Sequence, residues 1–153
     1  MNPPALTLPL FCTLDVQLGP IIDLGSGRNG LRKIIPITGG RVSGKVSGEI
    51  LNLGADWHTV LQDGTSELQA RYAFRTDDGA LIEIRNNGYR HGPPDVIAAL
   101  AAGETVDPDL YYMRTHTRFE SGDVRYQWLN NRLFIGSGSR HPEAVRFAIY
   151  AIE

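Results

Sequence analysis

Two Asp-Gly pairs constrain this chain more than any other feature of it. Asp63-Gly64 and Asp78-Gly79 stand between three runs, residues 57–61, 67–76 and 80–90, whose polar and apolar side chains alternate. Asp-Gly between two alternating runs is a strong hairpin signal, because a tight turn needs a residue at φ > 0 and glycine adopts that backbone at low cost. Three strands joined by two such turns make an antiparallel meander, and the rest of the chain must be compatible with it.

The flanking sequence continues the pattern. Residues 6–18 read as a first strand after a proline-rich lead, ended by Gly19-Pro20. Residues 25–30 read as a loop. Residues 32–38 form a β-branched run bent at Pro36, where the ladder loses a donor. Gly39-Gly40 predicts a turn. Residues 41–51 then alternate, with Val42, Val46 and Ile50 on the face shared by Gly44 and Gly48. Gly54-Ala55-Asp56 predicts another turn.

Pro93-Pro94 opens one short helix over residues 95–102, and Gly103 stops it. In the strand at 109–119, Tyr112, Arg114, His116 and Arg118 share one face. Tyr111, Met113, Thr115, Thr117 and Phe119 share the other. Residues 124–129, 132–135 and 143–152 read as further strands. Asn130-Asn131 and residues 136–138 turn between them.

Eight to ten short strands at regular spacing predict an all-β sandwich or a closed barrel. The barrel is favoured because closure removes exposed edges. A single β-barrel domain over residues 1–153 is expected, a length that supports one core.

Composition excludes several functions. A net charge of −2 with no basic stripe argues against a nucleic-acid partner. No apolar run approaches the roughly 20 residues that span a bilayer. The lead has prolines and no basic region, so a cytoplasmic protein without a membrane partner is expected. The lone Cys12 can form no disulfide within the chain and reads as an inert buried thiol.

The run Gly25-Ser26-Gly27-Arg28-Asn29-Gly30 lacks the Gly-Lys-Ser/Thr ending of a phosphate loop. It reads as a rim loop whose Arg28 can meet an anionic ligand. His58, His91, His116 and His141 have no metal-ligand spacing, so neither a metal nor a cofactor is expected. They read as surface or rim groups, with His116 a candidate base.

A set of amphipathic and charged residues on β segments carries the functional argument. It comprises Asp56, Trp57, Arg71, Tyr72, Asn87, Tyr89, Tyr112, Arg114, Glu120, Tyr126 and Trp128. Tyrosine and tryptophan join an apolar body to a hydrogen-bonding tip. An arginine beside them can clamp a carboxylate or phenolate. The candidate catalytic residues are Asp56 or Glu120 as base, Tyr112 as acid, with Tyr72 the alternative, and Arg114 as anion holder, with Arg71 the alternative. The candidate ligand-binding residues are Arg28, Trp57, Arg71, Tyr72, Asn87, His116, Tyr126 and Trp128. Each has a structural alternative: packing for the tryptophans, ion pairing with Asp56 and Glu120 for Arg71 and Arg114, and turn capping for Asp56.

These segments together resemble the domain-of-unknown-function family 3237, also written UPF0311. The resemblance rests on residues 32–44 (RKIIPITGGRVSG), Gly54-Ala55-Asp56-Trp57, 67–80 (ELQARYAFRTDDGA), Asn87-Gly88, 111–115 (YYMRT), Phe119-Glu120 and 126–134 (YQWLNNRLF), in that order. It implies an antiparallel calycin-like β-barrel that self-associates into a homo-oligomer. Some fungal relatives are similar to cyclases that close an oxygen heterocycle.

Three functions stay open at this point. The first is a cofactor-independent lyase, isomerase or cyclase acting on an oxygenated or aromatic metabolite. The second is a carrier or sensor with a small-molecule ligand. The third is a structural or oligomeric protein whose polar strand face meets a partner chain.

Overall fold

The computed structural model describes residues 1–153. Its strands are β1 (Leu10–Leu18), β2 (Ile22–Ser26), β3 (Leu31–Gly44), β4 (Gly48–Val60), β5 (Ser66–Thr76), β6 (Leu81–His91), β7 (Tyr112–Glu120), β8 (Phe134–Arg140) and β9 (Ala144–Ala151). The helix α1 spans Pro94–Ala101, and short 3₁₀ turns cover Pro108–Leu110 and Gln127–Asn131. No helix is long and apolar enough to cross a membrane.

Every strand pairing is antiparallel. The order β1-β9-β8-β7-β6-β5-β4-β3 closes on itself because β1 also pairs with β3. The result is an eight-stranded closed barrel. The chain breaks at Gly19-Pro20 after β1 and resumes as β2, which pairs with the first half of β3 and lies outside the closed ring.

The meander is present as expected. Asp63-Gly64 joins β4 to β5, Asp78-Gly79 joins β5 to β6, and β5 and β6 stay in register from Ser66↔Arg90 to Arg75↔Leu81. The faces of β7 also follow the alternation, with Met113, Thr115, Thr117 and Phe119 buried and Tyr112, Arg114, His116 and Arg118 exposed. Val42, Val46 and Ile50 are all buried.

Four local expectations need correction. Gly39-Gly40 is not a turn, because β3 runs straight through it. Gly40 instead lets β1 pass close by: a Cβ there would lie 2.0 Å from the Asp15 carbonyl oxygen. The actual turn is at 45–47, inside the run read as one strand, and the alternation of Val42, Val46 and Ile50 hid it. Gly54-Ala55-Asp56 lies within β4, at an irregularity in its pairing with β5 between Ile50 and Gly54.

Residues 124–129 form turns and a 3₁₀ helix rather than a strand. Here side chains replace the ladder. The Asn130 amide accepts from the Ser121 N–H at 2.8 Å and donates to the Ser121 carbonyl at 3.0 Å. Smaller shifts occur elsewhere: β1 starts at Leu10, β2 takes in Gly25 and Ser26, and residues 136–138 lie inside β8.

The barrel interior has two ends. Near the 45–47 turn and the chain termini, Phe11, Phe119 and Phe134 form a mutually contacting aromatic cluster, with ring centroids 4.9–5.9 Å apart. Phe74 stands edge-on to Phe119, and Leu129 of the 3₁₀ turn is fully buried in the same core. The opposite end carries the β4–β5 and β8–β9 turns and the long β6–β7 connection with α1. Its inner wall is partly polar.

Candidate functional site

A cavity of about 40 Å³ lies at the polar end of the barrel. Its wall is mostly aliphatic, with Val16, Ile35, Ile37, Leu68, Met113 and Phe147 among its lining residues. Into this apolar setting the strands project Asp56 and His58 from β4, Tyr72 from β5, Asn86 and Arg90 from β6, and Arg140 from β8. The period of two explains the arrangement. Asp56 and His58 point the same way, as do Ile82, Ile84, Asn86 and Arg90 on β6.

Asp56 and His58 form a pair. The His58 Nδ1 lies 3.0 Å from Asp56 Oδ2, with His58 side-chain exposure of 3% and Asp56 of 15%. The other carboxylate oxygen, Oδ1, accepts the Gln69 backbone N–H at 2.8 Å. Both oxygens are thus fixed, and the imidazole Nε2 has no hydrogen-bond partner in the protein.

Tyr72 is 3% exposed, and its hydroxyl has no hydrogen-bond partner. Burial pushes its phenol well above the usual range, so the group keeps its proton. The Thr115 hydroxyl on β7 is likewise buried without a partner. Asn86 accepts the Thr117 hydroxyl at 2.7 Å.

The two arginines differ in their anchoring. Arg140 Nη1 donates to the His141 and Ala144 carbonyls of the β8–β9 turn. The Arg140 backbone N–H donates to the Tyr111 hydroxyl at 2.8 Å. Arg90 reaches only the Ser66 hydroxyl, at 3.5 Å, and its Nε is buried without a partner. Burial pulls both guanidinium pKa values down, and for Arg90 the Arg140 charge adds to the effect. No group of three metal-ligating side chains converges here or elsewhere in the chain. Cys12 is buried on β1, and burial pushes its thiol up to about 12, so it stays protonated.

Of the residues singled out from sequence, Asp56 and Tyr72 line this cavity. The others stand elsewhere. Tyr112 stacks on His91 at 4.8 Å on the outer wall, with the Arg114 guanidinium 5.4 Å from its ring centroid. His116 faces outward on the same strand. Arg71 is exposed and pairs with Glu83 at 3.1 Å, not with Asp56. Glu120 lies in an outer depression with Glu83, Arg85 and Arg118.

Asn87 sits one register position from the inward Asn86, and so faces out. Trp57 is exposed on β4. Trp128 packs edge-on against Phe11 at 5.8 Å, at the aromatic end. Tyr126 donates to Asp78 at 2.7 Å beside the Asp78-Gly79 turn. Arg28 lies in the β2–β3 loop near Gln62 and Asp63.

Sequence reasoning missed His58, Asn86, Arg90 and Arg140. His58 is a buried wall residue, not a surface or rim group, because it lies two positions from Asp56 on the inward face of β4. For Asn86 and Arg90 the signal existed, since both continue the inward series Ile82, Ile84. Arg140 follows a Gly-Ser-Gly stretch that resembles a turn.

The Protein of unknown function (DUF3237) model matches residues 6–152. The chain belongs to this family. Among its DUF3237 relatives, a UPF0311 protein of Rhodopseudomonas palustris (strain TIE-1) is 42% identical over 150 residues, covering 97% of this chain and 98% of the relative. A UPF0311 protein of Clostridium acetobutylicum is 47% identical over 124 residues, covering 80% of this chain and 78% of the relative.

A solved structure of a conserved protein of unknown function from R. palustris superposes with a TM-score of 0.92 at 39% identity, covering 99% of this chain and all (100%) of that one. An enzyme from Penicillium herquei has a TM-score of 0.72 at 20% identity, covering 100% of this chain and 98% of that one. At that identity the likeness is one of fold.

Proposed function

We propose that the polar end of the barrel binds a small oxygenated metabolite and that Asp56 and His58 move a proton on it. The observation that carries this reading is the Asp56–His58 contact of 3.0 Å between two largely buried side chains inside an apolar-walled cavity. A carboxylate that accepts Nδ1–H holds a neutral imidazole with its Nε2 lone pair turned to the ligand. That nitrogen then takes a proton from a C–H or O–H group. The same nitrogen can return that proton at a second position, while the buried Tyr72 hydroxyl, without a protein partner, donates a hydrogen bond to a ligand oxygen.

Removing a proton at one atom and adding one at another is the chemistry of a lyase, an isomerase or a cyclase. These side chains suffice for it. A calycin-like shape suits the reading, since small eight-stranded barrels of that kind enclose one ligand. The P. herquei protein of the same fold is an enzyme.

The test is a thermal-shift screen of small oxygenated and aromatic metabolites, followed by incubation and mass spectrometry. Wild type is expected to convert a binder. Asp56→Asn and His58→Gln are expected to bind it with product formation down by about a hundredfold or more. Unchanged turnover in Asp56→Asn would remove the catalytic role. Saturable binding with no product in wild type would make the protein a carrier or sensor.

A second reading has its own observation. Tyr112, Arg114, His116 and Arg118 all stand on the outer wall of β7, as a face that meets a second copy of the chain would require. Light scattering is expected to give a mass above 16.8 kDa for wild type and a lower one for Tyr112→Ala with Arg114→Glu. A monomeric wild type at high micromolar concentration would end this reading.

A further inference from the structure

We propose that the cavity takes a ligand with one negative charge, a carboxylate or an enolate-type oxyanion, and that Arg90 is its counter-ion. The proposal rests on reading the cavity as a ligand site, and it narrows the class of molecule that enters.

The argument is one of charge. The cavity wall holds two guanidinium groups, Arg90 and Arg140, and a single carboxylate, Asp56. Neither arginine forms an ion pair, although both are half-buried among apolar side chains. Arginine remains protonated at neutral pH. Two guanidinium groups against one carboxylate leave one positive charge in excess among these groups.

An excess charge among aliphatic side chains is costly, and buried charges are normally paired. Asp56 offsets part of it across the cavity but forms an ion pair with neither arginine, its two oxygens being held by His58 and the Gln69 N–H. Arg140 spends Nη1 on backbone carbonyls, which satisfies hydrogen bonds without neutralising charge. Arg90 has no such anchor. Its Nε is buried and unpartnered, and one Nη reaches Ser66 only at the limit of a hydrogen bond.

The edge of a guanidinium that carries Nε and an Nη is the fork that grips two carboxylate oxygens. The Tyr72 hydroxyl, also unpartnered and almost fully buried, supplies a further donor on the same wall. Two side chains thus agree: Arg90, with its unbalanced charge and unused edge, and Tyr72, with its orphaned phenol.

Size narrows the class further. A cavity of about 40 Å³ holds a small head group. A carboxylate fits, and the rest of the molecule must extend toward the mouth of the barrel. A doubly charged phosphate would overcompensate the wall by one unit. A neutral sugar or alcohol would leave the charge unpaired.

The test uses matched pairs that differ mainly in charge: acetate against acetamide, and benzoate against benzamide. Amide chemical shifts of the isotopically labelled full chain are followed through each titration at low salt. Shifts at Leu68, Asn86 and Met113 are expected to saturate with the carboxylates, which bind at least about tenfold more tightly than their amides. Arg90→Gln is expected to abolish that preference and Arg90→Lys to keep part of it.

Because Gln at position 90 can disturb the fold, Arg90→Met provides a second readout. Removing an unpaired buried charge is expected to raise the melting midpoint of the ligand-free protein and to eliminate its further rise with benzoate. Equal binding of acid and amide, or a preference that survives Arg90→Gln, would overturn the charge argument while leaving the cavity reading intact. Shifts confined to residues outside the cavity would overturn both.

Discussion

Truncation of Phe119 to alanine is expected to destabilise the protein by roughly 3–5 kcal/mol, the usual cost of deleting a buried phenyl ring. Phe119 is 2% exposed. Its ring meets Phe134 at 4.9 Å and 84°, Phe11 at 5.9 Å and Phe74 at 6.5 Å. Removing it takes away three aromatic contacts together and leaves a hole that closed barrel strands cannot collapse to fill.

Urea unfolding measures the effect as a lower midpoint with an unchanged slope. Phe119→Leu is expected to recover about half the loss, because it refills much of the volume. Phe119 does not line the cavity, so folded Phe119→Ala should retain whatever ligand binding wild type shows. A loss below about 1 kcal/mol would mean that the aromatic end is loosely packed and that the two-ended description of the interior is wrong.

That two-ended interior was only partly legible in the sequence, and the division follows from what is local. Asp63-Gly64 and Asp78-Gly79 declare their turns through their own backbone preferences. The alternation in β7 declares its two faces without reference to any other strand. Gly39-Gly40 and Gly54 carry the same local signature as turns, yet they serve a different purpose. They are places where a neighbouring backbone comes too close for a side chain, and the neighbour lies far away in sequence: Asp15 for Gly40 and Arg71 for Gly54. No window on the sequence contains that information.

The site divides in the same way. Asp56 and Tyr72 carry pocket chemistry in their side chains, and both face the cavity. Tyr112, Arg114 and His116 carry it too, but the face they share lies opposite Met113, Thr115 and Thr117. In a closed barrel the face with smaller and more apolar groups turns inward. Arg90 is hard to pick out, because a charged residue ending an apolar stripe looks like a strand emerging into water. Here the stripe ends inside the barrel mouth, and the charge stays partly buried.

Gly54→Ala is the substitution that joins fold and site. Gly54 has φ +105°, and an added Cβ would lie 2.3 Å from the Arg71 carbonyl oxygen and 2.9 Å from Tyr72 Cα. The left-handed backbone costs a non-glycine residue roughly 1–3 kcal/mol. Overpacking against a neighbouring strand adds a further 1–3 kcal/mol, approximately. For a chain of this size the melting midpoint should fall by roughly 5–15 °C.

The conformational part can be separated experimentally. Gly64, in the β4–β5 turn, also has positive φ, at +86°, but nothing lies within 4 Å of its added Cβ. Gly64→Ala therefore bears the backbone cost alone, and the excess loss in Gly54→Ala measures the strand contact. Gly54 pairs with Tyr72 across the ladder and precedes Asp56 by two residues. Forcing β4 and β5 apart there should move both cavity groups and weaken ligand binding, an effect that Gly64→Ala should lack. Equal stability losses in the two variants would show that β4 and β5 tolerate a side chain at position 54. The close approach would then have no part in aiming Asp56 and Tyr72 at the cavity.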